Sequence, residues 1–403
     1  MISIIFQNPK NYRWVILFFC FLTITFTNGL TLGGLYVFEV EIINSLSEIT
    51  QQEVLIGDLK KRDALTLWST ALFGFFSGML ADKIGVKKLM VGGLLILSGC
   101  FYFYGQAQSL SDMYIIHFFM GLVLCVSGMI VNVILISKWF NNSRGLAIGI
   151  LLAGTSVGNG LFPIINTFLL TLGDWREVMT WLGLIPLCYI PFLILIIKDS
   201  PDDLAKEQEQ KTQKFSQSNM QGGFTLMEAL STRNFWLLSL MAFCTFYSIL
   251  AMTGHTFLLL KKLNYSDQIA AFGLTVLFLG GFIGKVISGQ LAEKFGRKSI
   301  LLTGVGVMLV GSIFLIMGLQ YNTDFIWIGL ALYGTGWGGL YTLIQLLTAD
   351  LFGIIALGKI MGVINILDTI GGGLGPLLTG IIFDMNKSYL IPFLLISCLL
   401  VIA

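Results

Sequence analysis

Gly78-Met-Leu-Ala-Asp82-Lys83-Ile-Gly85-Val86-Lys87-Lys88 returns further along the chain as Gly289-Gln-Leu-Ala-Glu293-Lys294-Phe-Gly296-Arg297-Lys298-Ser299. Glycine, acid, base and glycine keep their spacing, and each copy lies between two long apolar runs. A second pair repeats the arrangement: Gly149, Gly158 and Pro163 recur as Gly362, Gly371 and Pro376. The copies lie 211 and 213 residues apart, close to half of the 403-residue chain. Duplication of this length between apolar flanks predicts a membrane protein built from two related units.

Composition agrees. The chain is 56% hydrophobic and 11% charged, where a soluble domain carries about 25% charged residues. No aqueous core could hide that much apolar surface, so lipid is the expected solvent. A net charge of +2 argues against a basic nucleic-acid binder. All six cysteines fall in apolar runs without a CxxC pair, and read as packing residues rather than disulfide partners or metal ligands. No nucleophile–base pair or metal cluster is legible, so neither an enzyme nor a cofactor is expected. Lys10 and Arg13 precede a first span rather than a cleaved leader.

A membrane-spanning helix needs about 20 mostly apolar residues. Candidate runs are 13–38, 65–83, 88–108, 112–137, 145–170, 177–197, 234–260, 268–291, 299–319, 325–349, 357–383 and 388–403. The expected fold is an all-α membrane protein, with twelve transmembrane helices in two pseudo-symmetric six-helix bundles, 1–197 and 234–403. The last run, ending at Ala403, is short or truncated. Residues 198–233 form a polar cytoplasmic linker, in which Phe224, Leu226, Met227 and Leu230 suit a short helix on the membrane surface. Residues 41–64 read as a long, charged outer loop. With both termini cytoplasmic, sixteen of the 24 basic residues fall inside and seven outside (Lys60, Lys61, Arg62, Arg176, Lys261, Lys262, Lys387), which leaves Lys285 alone at membrane depth. A multi-pass protein of a plasma membrane or bacterial inner membrane is expected.

The repeated loop resembles the loop motif of the major facilitator superfamily, found between helices two and three and again between eight and nine. That resemblance implies a gating role for Gly78, Asp82, Gly85, Lys87, Lys88, Gly289, Glu293, Gly296, Arg297 and Lys298. Their contacts would form when the inner side closes and break when it opens. Lys138-Trp139-Phe140-Asn-Asn-Ser-Arg144-Gly145-Leu146-Ala147-Ile-Gly149 is similar to the entry into helix five of monocarboxylate transporters and oxalate/formate antiporters. So are Gly154-Thr-Ser-Val-Gly158, Gly254-His255-Thr-Phe-Leu and Leu263-Asn-Tyr-Ser266 at their matching places. His117 stands where many superfamily members carry an arginine. Lys285, spaced Lys-x-x-x-Gly289, matches the basic residue, usually arginine, with which these families hold an anionic substrate on helix eight.

A central lysine costs at least about 2.5–3.5 kcal/mol to insert, so an unpaired one should be rare. Asp368 is the other buried charge expected, as ion-pair partner of Lys285 or as a proton carrier. His255 is a candidate for lining the pathway or accepting a proton. Asn28, Tyr36, Asn132 and Asn159 either complete a central site or glue helices together. Glu39 and Glu41, at the outer end of the first span, are expected to be solvated. Gly154, Gly158, Gly371, Gly375 and Pro376 lack the Lys-Ser/Thr ending of a phosphate loop, and are expected to pack the halves together and let helices bend. The expected function is secondary active transport of a small organic anion, a monocarboxylate, by alternating access in a monomer. Protons or a counter-anion would be coupled, membrane lipid is the surrounding partner, and neither nucleic acid nor metal takes part. Efflux of an apolar or cationic compound on Asp368 is one alternative, and a non-transporting receptor or sensor is another.

Overall fold

A computed structural model describes residues 9–140, 143–199, 223–353 and 355–403, and the regular structure in them is helical. The helices are α1 (Pro9–Thr31), a 3-10 turn (Gly33–Phe38), α2 (Glu39–Thr50), α3 (Ile56–Ile84), α4 (Val86–Gln106), α5 (Leu110–Val126), α6 (Met129–Trp139), α7 (Arg144–Leu169) and α8 (Trp175–Ile196). After them come α9 (Leu226–Leu230), α10 (Arg233–Lys262), α11 (Asp267–Phe295), α12 (Arg297–Gln320), α13 (Asp324–Trp337), α14 (Leu340–Phe352), α15 (Leu357–Asn386) and α16 (Leu390–Ile402). Most of the expected linker, residues 200–222, lies outside the described residues; the short helix expected near its end is α9.

Among the described residues nine helical runs are long and apolar enough to cross a membrane, or ten with the bent α3. The runs α1–α2 and α5–α6 each count as one. The shorter α13, α14 and α16 have 14, 13 and 13 residues.

The two repeated loops fold alike. Gly85 has φ +90° and Gly296 φ +87°, and each backbone N–H closes the preceding helix on Ala81 O or Ala292 O at 3.1 Å. Only glycine takes that backbone without strain, so the spacing encodes one helix–turn–helix device twice.

Residues 41–64 are not the expected loop. Helix runs through Thr50 and resumes at Ile56. The cause lies at Gly33-Gly34, where α1 breaks. Asn159 Oδ1 accepts from Gly33 N at 2.8 Å, and Asn166 Nδ2 donates to Gly34 O at 2.8 Å. Two asparagines of α7 thus take over backbone groups that an uninterrupted helix would have paired internally. The turn that follows points Glu39 inward, while Glu41 remains exposed.

The glycine pairs also correct an expectation: they pack within each half, not between halves. A Cβ on Gly154 or Gly158 would meet Phe21 O at 2.8 Å or Thr25 O at 2.3 Å on α1. On Gly371 or Gly375 it would meet Phe243 O at 2.5 Å or Tyr247 O at 2.3 Å on α10. Small residues let the backbones approach this closely. The seams between the halves are formed by α3 against α15 and by α7 against α11.

One end of those seams is shut. Asp384 on α15 accepts from Ile56 N at 3.2 Å and Gly57 N at 2.6 Å, capping the first turn of α3. Thr275 on α11 donates to Gly160 O at 2.6 Å. At the opposite end, which carries the repeated loops, no hydrogen bond or ion pair joins the two halves among the described residues. Among the described residues, positions for a Cβ at Gly78, Gly145, Gly149, Gly289, Gly358 and Gly362 have nothing within 4 Å. Asp82 and Glu293 are exposed, and among the described residues neither is bonded across to the other half.

Overpacking costs about 1–3 kcal/mol, so Gly158→Val should lower the thermal midpoint of the purified protein by several degrees. Gly78→Val, facing open space, should leave that midpoint unchanged. Equal losses in both variants would contradict the packing described.

Candidate functional site

Charged side chains occupy two levels. The first lies near the shut end, where Lys60 and Arg62 sit within the first two turns of α3. Glu39 Oε1 accepts from Lys60 Nζ at 2.5 Å and Arg62 Nη2 at 2.6 Å, and all three side chains are fully buried. Asp63 completes the group, with Lys60 Nζ at 3.4 Å and Arg62 Nε at 3.3 Å. Two cations face two acids, so the cluster is neutral as a whole. This overturns two expectations: Glu39 is not solvated, and Lys285 is not the one cation at depth.

Hydrogen bonds extend the cluster sideways. Arg62 Nη1 donates to the Tyr104 hydroxyl at 2.7 Å, and that hydroxyl lies 3.2 Å from His117 Nε2. His117 Nδ1 lies 2.7 Å from Thr66 Oγ1, whose hydroxyl also approaches Arg62 O at 3.2 Å. A consistent assignment has Tyr104 donating to Nε2, Nδ1–H donating to Thr66, and Thr66 donating to Arg62 O. Tyr36 lies beneath the Lys60 ammonium, 4.8 Å from ring centroid to nitrogen.

Lys60 also donates to Gly254 O on α10, in the second half of the chain. Next to it, buried His255 has Nε2 2.8 Å from Pro376 O and Nδ1 3.2 Å from the Tyr389 hydroxyl. A carbonyl only accepts, so Nε2 carries the proton and Nδ1 accepts from Tyr389. His255 therefore ties α10 to α15 and is anchored on both nitrogens.

The second level lies deeper. Lys285 is ten residues, about 15 Å, from the Phe295 end of α11. Its ammonium crosses the seam to α7, donating to Thr155 Oγ1 and Ser156 Oγ at 2.8 Å each and to Leu152 O at 3.4 Å. Among the described residues it makes no ion pair, so the expected pairing with Asp368 is not formed. Asp368 is buried on α15 and accepts from the neighbouring Thr369 hydroxyl at 3.0 Å.

The other candidates divide. Tyr36 joins the first cluster, and Asn159 pins the break after α1. Asn28 Nδ2 returns to its own helix at Ile24 O, 3.3 Å. Asn132 Nδ2 returns to Ser127 O and Gly128 O at 2.9 and 2.7 Å, with its buried Oδ1 lacking a hydrogen-bond partner among the described residues. Sequence reading passed over Lys60, Arg62, Asp63, Tyr104, Thr155 and Ser156. The opposite-charge spacings Asp58–Lys61 and Lys60–Asp63, both i,i+3, were a legible sign that 56–64 is helix.

Comparison with known proteins agrees with this architecture. The sequence model described as Major Facilitator Superfamily matches residues 17–376. The oxalate:formate antiporter of Oxalobacter formigenes is 28% identical over 78% of this chain and 74% of its own. Human monocarboxylate transporter 12 is 24% identical over 95% of this chain and 77% of its own. A bacterial homologue of the human lysosomal transporter Spinster, solved in an inward-facing and unoccupied conformation, superposes with a TM-score of 0.69 at 18% identity, covering 98% of this chain and 95% of that one. With its helical seams and buried charges, this chain is a multi-pass membrane transporter, not an enzyme, and belongs to the Major Facilitator Superfamily.

Proposed function

We propose that the chain moves a small organic anion, a monocarboxylate, by alternating access, with Lys285 as its principal anchor. The observation that carries this reading is the seam-spanning ammonium of Lys285, solvated by two hydroxyls and a carbonyl rather than neutralised by an acid. Lys285 is half-buried and has no counter-ion among the described residues; an unmatched cation at this depth is costly, and an entering carboxylate supplies the counter-ion. The names of the two relatives, one an oxalate:formate antiporter and one a monocarboxylate transporter, support the same class of cargo. A lysine offers a point charge rather than a guanidinium fork, which suits one carboxylate held without strict direction.

In this reading 1–197 and 234–403 are the two rocking bundles, and both termini and the repeated loops face the cytoplasm. The twelve-span count takes α13–α14 as one broken span and α16 as a short one. The shut Asp384 end and parted loop end then correspond to an inward-open carrier. Asp82 and Glu293, exposed here, are the groups that bond the loops to the opposite half when the inner side closes. Coupling is to a proton or to a counter-anion.

A second reading rests on Asp368, buried with a neutral hydroxyl as its side-chain partner among the described residues. It makes the cargo cationic or apolar and the direction efflux. Competition by a panel of small acids against organic cations separates the two: carboxylates compete under the first reading only.

In reconstituted vesicles Lys285→Gln should cut carboxylate uptake at low substrate concentration at least about tenfold, equivalent to ~1.4 kcal/mol of lost binding. Lys285→Arg should retain a measurable part of it. Uptake by Lys285→Gln at the unaltered rate would remove the anchor from this position.

A further inference from the structure

Glu39 is held oddly for a buried carboxylate. Both cations converge on Oε1, while the buried Oε2 has no hydrogen-bond partner among the described residues. A carboxylate accepts about four such bonds, so Lys60 and Arg62 form a two-cation cradle that their present occupant fills from one corner. That occupant arrives on a different helix, across the break at Gly33-Gly34. The cradle also lies on the seam, because Lys60 donates across it to Gly254 O. A pocket of about 280 Å³, lined by Val40, Ile56, Lys261, Lys262, Asp384 and Tyr389 among others, borders the same seam at the shut end.

We propose that Lys60 and Arg62 are a second carboxylate-binding site of the transport pathway, and that Glu39 fills it as a tethered stand-in while the Asp384 end is closed. The ligand class is the small monocarboxylate of the proposed function, on which this inference rests. When α10 draws away from α3, the bond from Lys60 to Gly254 O breaks and the cradle faces the opening. With Glu39 swung aside, Lys60 and Arg62 face Asp63 alone, a net positive site that attracts an anion. When the end shuts, Glu39 returns, favoured by the high local concentration its helix gives it. The substrate is thereby released towards Lys285. The cradle carries the same charge with Glu39 in place as with a bound monocarboxylate, and a net positive charge only in between.

The test uses full-length protein and sodium acetate as the probe. Glu39→Gln removes the charge of the present occupant, leaving Asp63 as the remaining acid, while keeping the side-chain volume. In chloride it should unfold below the unaltered protein. Millimolar acetate should then raise its thermal midpoint by roughly 5 °C, where ionic-strength-matched chloride does not. The gain should persist in the double variant Glu39→Gln, Lys285→Gln; its disappearance there would place the acetate at Lys285 and overturn the proposal. In vesicles of single orientation, Glu39→Gln should lower the half-saturating acetate concentration about tenfold on the Asp384 face alone. Equal shifts on both faces, or none, would also overturn it.

If Glu39→Gln does not fold, Glu39→Ala purified in acetate takes its place, expected to be recovered there and lost when acetate is removed. Failure to recover either variant in acetate counts against the site. Absence of acetate transport by the unaltered protein, with the thermal gain intact, would instead count against the anion cargo.

Discussion

The Lys60 ammonium touches both halves of the protein at once, Glu39 within its own half and the Gly254 carbonyl across the seam. Withdrawing two cations and two acids from water is expensive, and their mutual attraction repays that only when geometry and further hydrogen bonds are good. Removing one member of such a group typically costs about 3–5 kcal/mol. The surroundings answer this demand: Tyr104, His117 and Thr66 complete a hydrogen-bonded chain behind Arg62, and the Tyr36 ring lies under Lys60. The break in α1, pinned by Asn159 and Asn166, turns Glu39 inward to this group, and the Asp384 cap closes the same end.

The two charged levels are built on opposite principles. Near the shut end each charge has an opposite charge in contact, so the cluster resists exchange with water or ligand while the seam is closed. At Lys285 the partners are hydroxyls and a carbonyl, each worth about 1.5–3 kcal/mol to a charged donor. Such contacts keep the ammonium tolerable in the seam without satisfying its charge. The first arrangement matches its charges internally, and the second leaves one charge unmatched among the described residues.

Much of the fold could be read from the chain because its signals are local. Long apolar runs mark the spans, and Gly85 and Gly296 mark turns that side chains with a Cβ resist. The 41–64 region was misread because its density of charge masks helical spacing, although Lys60 and Asp63 lie one turn apart. The site was harder to see. Lys285 stood out as a charge in an apolar run, but Thr155 and Ser156 are more than a hundred residues away and look like ordinary polar helix residues. Gly154 and Gly158 announce close packing without saying which helix approaches; α1 does, within the same half.

The bonds that close the Asp384 end share a property with a wider consequence. Lys60 reaches the carbonyl of Gly254, Asp384 reaches the amides of Ile56 and Gly57, and Thr275 reaches the carbonyl of Gly160. In each case a side chain of one half grips the main chain of the other. A carbonyl is supplied by every amino acid and an amide by all but proline, so the hydrogen bonds themselves do not select a side chain at the gripped position, although a Cβ at Gly57 would press on Ile381 at 2.8 Å. Methods that infer proximity from correlated substitution would be nearly blind to this latch. Where space allows a side chain, as at Ile56, the gripped residue can change while the clasp itself endures.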